Sequence, residues 1–221
     1  MTNLKNLRFI LLVIITVSFL PLNVEATHIV GGNMTYRCLG GDQYEVTLTF
    51  RRDCENGADD APLDDPATFG IFDRFGALQT TLGDELGRTF VPIETRQVIL
   101  ADLNEDCVIG NTGNLCVEEA IYRDTLTLPF NKLGYFISYQ RCCRNIILNN
   151  IDNPLQVGAT YHTFIGIEAL EECNSQPVFN EWAEIFACQD QPFVFDHSGV
   201  DPDGDEIVYS LCTPSLSLIH I

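Results

Sequence analysis

Tyr44 to Arg51 alternates without a break. Tyr44, Val46, Leu48 and Phe50 fall on one side, and Glu45, Thr47, Thr49 and Arg51 on the other. A period of two sets one face against a core and leaves the other wet, which is the signature of a half-buried strand. The same rhythm returns at Ala120–Leu128, with Tyr122, Leu126 and Leu128 sharing a side. It returns again at Gly134–Asn145, where Tyr135, Ile137 and Tyr139 do so. That last stretch ends in the neighbours Cys142 and Cys143, and we take it as the centre of the fold. Shorter runs at 27–39, 67–72, 96–100 and 161–167 read as further strands, separated by Gly, Pro, Asn and Asp turns. Helical periodicity is confined to a turn or so at 167–172 and at 181–186. The pattern predicts an all-β chain built as an antiparallel β-sandwich.

The N-terminus carries a different signal. Lys5 and Arg8 precede an apolar run from Phe9 to Leu20, which Pro21 breaks before Val24-Glu25-Ala26. This is the layout of a secretory signal peptide over residues 1–26, and the run is shorter than the ~20 apolar residues of a membrane span. All nine cysteines follow it, at 38, 54, 107, 116, 142, 143, 173, 188 and 212. In an oxidising compartment they read as a disulfide framework, whereas zinc lacks the spacing it needs, because no C-x-x-C pair occurs. Cys107–Cys116 is the most local pairing, and Cys188–Cys212 would bridge strands flanking an aspartate-rich turn. Pairings for Cys38, Cys54, Cys142, Cys143 and Cys173 stay open. The expected location is therefore secreted, extracellular or at the cell surface, with no transmembrane segment in the mature chain.

Charge narrows the partners. Twelve basic residues face 31 acidic ones, a formal net charge of −19, and loss of the leader makes the remainder more negative. Such a chain repels phosphate backbones, so nucleic acid is not an expected partner. Asp201-Pro202-Asp203-Gly204-Asp205 is the best candidate metal site, because alternate carboxylates on a tight turn can point at one Ca²⁺. The competing reading is a plain Asp/Gly β-turn. Asp102, Asn104 and Asp106 repeat the spacing more weakly. Asp53, Asp59, Asp60, Asp64 and Asp65 read as a solvated loop. Trp182, Tyr135 and Tyr139 are candidates for a sugar platform, although core packing is the commoner fate of strand aromatics.

No nucleophile elbow, zincin helix or phosphate loop is present. Cys142 or Cys143 with His162 would make a nucleophile and base, but disulfide bonding competes with that role. A carboxylate pair for glycoside hydrolysis remains open as the alternative to a non-enzymatic role.

Residues 171–177 read as a boundary. Beyond them, Phe193 and Phe195 alternate, and the DPDGD turn leads to Ile207, Tyr209 and Leu211. We expect a first sandwich domain over 27–172 and the incomplete opening of a second over 173–221. The successive segments HIVGGNMTYRCLG, YEVTLTFRRDC, LCVEEAIYRDTLTLP, YFISYQRCCRN, SQPVF and FVFDHSGVDPDGDEIVYSLCTP together resemble the N-terminal region of large secreted Bacteroidetes proteins. That group is described as PKD-domain or gliding-motility-associated C-terminal-domain proteins. The resemblance implies tandem extracellular sandwich modules, export by type IX secretion, and adhesive or scaffold roles toward a surface polysaccharide or protein ligand.

Overall fold

A computed structural model describes residues 29–54, 62–100, 116–142, 144, 148–182, 187–188, 190–211 and 216–218. Two antiparallel sheets dominate it. The first has the order β1-β2-β6-β5, built from β1 (Ile29–Gly40), β2 (Gln43–Asp53), β6 (Cys116–Thr127) and β5 (Ile93–Leu100). The second has the order β11-β8-β7-β3-β4, built from β11 (Leu216–Leu218), β8 (Val157–Ile165), β7 (Tyr135–Arg141), β3 (Ala67–Phe72) and β4 (Arg88–Val91). A two-stranded ribbon pairs β9 (Val178–Phe179) with β10 (Gly199–Val200). The helix α1 (Ile167–Glu172) lies where the sequence predicts it. It ends at Cys173, whose φ of 58° is left-handed and whose N–H donates to the Ala169 carbonyl.

The chain changes sheets between β4 and β5 across a single residue, Pro92. Proline has no N–H to give to a ladder, so a corner between two strands suits it. A second corner precedes β7 at Gly134, whose φ is 66°. A Cβ there would sit 2.6 Å from the Ile165 carbonyl oxygen, so only glycine fits.

The inner faces carry the residues that the alternation assigned to them. Tyr44, Val46, Leu48 and Phe50 of β2 are fully buried, as are Ala120 and Tyr122 of β6 and Ile137 and Tyr139 of β7. Tyr139 is the aromatic hub: its ring packs edge-on to Phe50 at 5.7 Å and to Phe69 at 6.4 Å, and stacks with Tyr122 at 6.5 Å. Such pairs each contribute about 0.5–1.5 kcal/mol beyond area burial. Four of the hydroxyls find acceptors at the rim of the core, whereas that of Tyr161 is buried without a partner. Tyr44 donates to the Ala169 carbonyl, Tyr122 to the Asp64 carbonyl, Tyr135 to the Pro129 carbonyl, and Tyr139 to the Asp64 carboxylate at 2.6 Å. Tyr135 and Tyr139 are therefore core residues and not part of a sugar platform.

Asp64 corrects another expectation. The loop before β3 is not simply solvated, because Asp64 takes both the Tyr139 hydroxyl and the Arg141 guanidinium, the latter at 2.8 Å. Asp65 accepts the Ile93 N–H. Asp59 and Asp60 lie outside the described residues.

Burial pushes the core phenols upward. Tyr36 and Tyr161 move to about 12, chiefly by desolvation, and Tyr122 and Tyr139 move further for the same leading reason. An unfolded chain releases these protons near pH 10, while the folded one holds them. The stabilisation is thus complete below pH 10 and is lost as pH climbs through about 12. We expect the melting temperature to fall steeply above pH 10, with phenolate absorbance rising together with unfolding. Phenolate forming gradually in a still-folded protein would contradict this.

Candidate functional site

The cysteines define the frame of the site. Cys38 of β1 bonds to Cys173 after α1, a separation of 135 residues. Cys54 bonds to Cys116 across 62 residues. The second pairing replaces the expected Cys107–Cys116 bond. The cause is register: β2 and β6 run antiparallel with Asp53 opposite Val117, so the next pair outward is Cys54 and Cys116. Nearness in space overrides nearness in sequence. Cys142 and Cys188 are also disulfide-bonded, which removes Cys142 as a nucleophile for His162. Cys107, Cys143 and Cys212 lie outside the described residues, so the Cys188–Cys212 expectation does too.

The DPDGD turn sits against this frame. Asp201 Oδ1 accepts the N–H groups of Asp203 and Asp205, at 2.9 and 3.2 Å. Asp203 Oδ2 accepts the Ser175 N–H, and Asp205 Oδ2 accepts from the Asn174 side-chain amide. Ser175 Oγ in turn accepts the Cys38 N–H at 3.3 Å, and the Gln176 N–H donates to the Tyr36 carbonyl. The three carboxylates face separate partners, forming a clasp between the turn and the chain just beyond Cys173. Among the described residues, no three His, Cys, Asp or Glu side chains gather as a cation would require. The Asp102, Asn104 and Asp106 set lies outside the described residues.

Two hollows flank this end of the sandwich. The first is a cleft of about 560 Å³ between α1 and the clasp. Arg74 and Lys132 stand in its wall with Glu168, Glu172 and Asp205, over the apolar Phe164 and Ile167. The second is a groove of about 360 Å³ on the outward face of the second sheet.

Strand register builds the groove in rows. Phe72, Phe136 and Phe164 are paired across β3, β7 and β8, as are Gly70, Ser138 and His162; Gln140 stands beside Thr160. Phe136 and Phe164 pack at 4.5 Å, and Phe136 and His162 at 5.6 Å. The middle row is low over β3 and β7, where glycine and serine occupy it, and rises at His162 on β8. A Cβ on Gly70 would meet the Phe72 ring at 2.6 Å, so the bare backbone is what lets that ring fold over the row. Ser138 is only 8% exposed, and its Oγ is buried with no hydrogen-bond partner. A buried hydroxyl left in this state costs about 1–3 kcal/mol.

Two of the aromatics expected at a sugar platform lie on the other side of the same strand. Tyr135 and Tyr139 face the core, whereas Phe136, Ser138 and Gln140 point outward. The available signal was the aromatic Phe136 at a position that the alternation assigns to solvent. Trp182 is not part of the groove; its ring lies 4.1 Å over the Arg51 guanidinium, on the outer face of the first sheet.

No protein family, curated protein or solved structure matches this chain.

Proposed function

We propose that this chain is a non-enzymatic extracellular binding module of the adhesin or scaffold kind, holding out a rigid sandwich to a surface polymer or another protein. The observation that carries the reading is the aromatic groove on the outward face of a sheet, where a folded sandwich would ordinarily be polar. Disulfides suit an oxidising compartment. Among the described residues no helix is long and apolar enough to cross a membrane. The resemblance to secreted Bacteroidetes surface proteins, with their PKD-type modules and roles in gliding, points the same way. Calcium at Asp201, Asp203 and Asp205 is not needed for the reading, since the clasp closes on protein donors.

Beads coated with the purified chain should be retained, saturably, on surfaces bearing polysaccharide or whole cells. Retention no greater than that of albumin-coated beads on every surface would overturn the proposal.

One observation favours a second reading. Glu168 and Glu172, one helical turn apart, line the same cleft as Asp205. The Cβ atoms of neighbours at that spacing stand about 5–6 Å apart, which lets two carboxyl groups reach the separation of a glycosidase pair. Release of reducing ends from polysaccharide, abolished by Glu168→Gln, would establish a secreted hydrolase in place of the binding module.

A further inference from the structure

We infer that the groove formed by β3, β7 and β8 takes a neutral saccharide, with Phe136 as the stacking surface and Ser138 and Gln140 as the hydroxyl partners. The inference rests on the binding-module reading and names the ligand class of its groove.

Four observations lead there. The groove combines the apolar rings of Phe72 and Phe136 with the amide and hydroxyl groups of Gln140 and Thr160, across a middle row of Ser138 and the exposed His162. A sugar ring has the same division: a face of C–H bonds and an edge of hydroxyls. A volume of about 360 Å³ falls at the small end of ligand sites, which run from roughly 300 to 1,000 Å³.

Ser138 Oγ is the second observation. It lines the groove, yet it is buried and finds no partner in the protein. A ligand hydroxyl reaching the middle row satisfies it, with the Phe72 ring swinging off Gly70 to admit the contact. Native proteins rarely leave such a group unpaired without a reason.

The third observation concerns the backbone. β3 and β7 are internal to their sheet and the groove lies on its face, while β8 meets β11 only over Val157–Ala159. An extended peptide adding a strand pairs along an edge, so recognition on this face runs through side chains. The fourth is charge. Asp73 and Arg74 offset each other at the rim, while the whole chain is strongly negative. An anionic polymer is repelled at long range, and among the described residues no cluster gathers to hold a cation.

Affinity electrophoresis of the full chain through gels containing soluble β-glucan, xylan or mannan tests this, with polygalacturonate as the anionic control. At least one neutral polymer should retard the protein, and polygalacturonate should not. Phe136→Ala should abolish retardation. Gln140→Ala, at an exposed position, and Ser138→Ala should each weaken it about tenfold. Ser138→Ala should also melt at the same temperature or higher, because it removes an unpaired buried hydroxyl. A purely structural serine would not couple lower binding to unchanged or higher stability. Val98→Ala, on the other sheet, should behave as the parent.

Retardation by none of the neutral polymers, or equally by all variants, overturns the inference. So does retardation by polygalacturonate alone. If the coated beads still adhere in any of these cases, the binding-module reading stands without its saccharide; if adhesion is also absent, both fall.

Discussion

Replacing Glu119 with alanine is expected to destabilise the sandwich by about 3–5 kcal/mol, the usual cost of stranding one half of a buried ion pair. Glu119 and Arg51 are directly opposed on β6 and β2, on the outward face of the first sheet. Their atoms meet at 2.6 Å through both Nε and Nη2, and their side chains are only 7% and 10% exposed. Gln97 donates to the second carboxylate oxygen, and Trp182 roofs the guanidinium. Without the carboxylate, Arg51 keeps its charge beneath that roof and loses the partner that meets it at 2.6 Å. The double change Glu119→Leu with Arg51→Met should recover much of the loss, since it removes both charges. Denaturant midpoints measure both. A single-variant cost below about 1 kcal/mol, the range of exposed pairs, would show the pair to be effectively solvated.

The second large effect belongs to the Cys38–Cys173 bond. Changing both cysteines to serine should cost about 2–5 kcal/mol, because the bond closes a loop of 135 residues in the unfolded chain. The loss should also be local. Ser175 and Gln176 hold their places by hydrogen bonds to β1, and Asp203 and Asp205 hold on to Asn174 and Ser175. Hydrogen exchange should therefore quicken at residues 174–176 and 203–205, while Leu48 and Tyr122 stay protected. Uniform acceleration across both sheets would mean that the bond supports the whole core and not this margin.

Much of the fold is legible from one rule. The alternation of β2, β6 and β7 identifies which side chains are buried, because each has one dry and one wet face. Helix α1 is legible too, since 167–172 is where the period of two gives way. β4 is not: four residues behind Gly87 carry too little pattern, and the strand exists because β3 offers it an edge. The reverse holds at the far end. Phe193, Phe195, Ile207, Tyr209 and Leu211 alternate well, yet they lie in no ladder, and Val194 and Leu211 are almost fully exposed. Strand bonds are made with a neighbour, so a sequence with the right rhythm and no neighbour stays irregular.

The candidate site was less readable, and for physical reasons. Disulfide pairing follows register, which placed Cys54 rather than Cys107 against Cys116. The groove depends on what three strands bring side by side, and no single strand shows it. Ser138 looks unremarkable in sequence; it becomes informative only when Gly70 and His162 are seen beside it and its hydroxyl is found without a partner.

The Cys38–Cys173 bridge also decides how the molecule carries tension. A pull applied at residue 173 itself, opposed at the start of β1, has a covalent route from Cys173 to Cys38 through sulfur and then along β1. Residues 39 to 172, with the groove and every strand from β2 to β8, lie off that line. The covalent route between those two points therefore bypasses the groove of β3, β7 and β8.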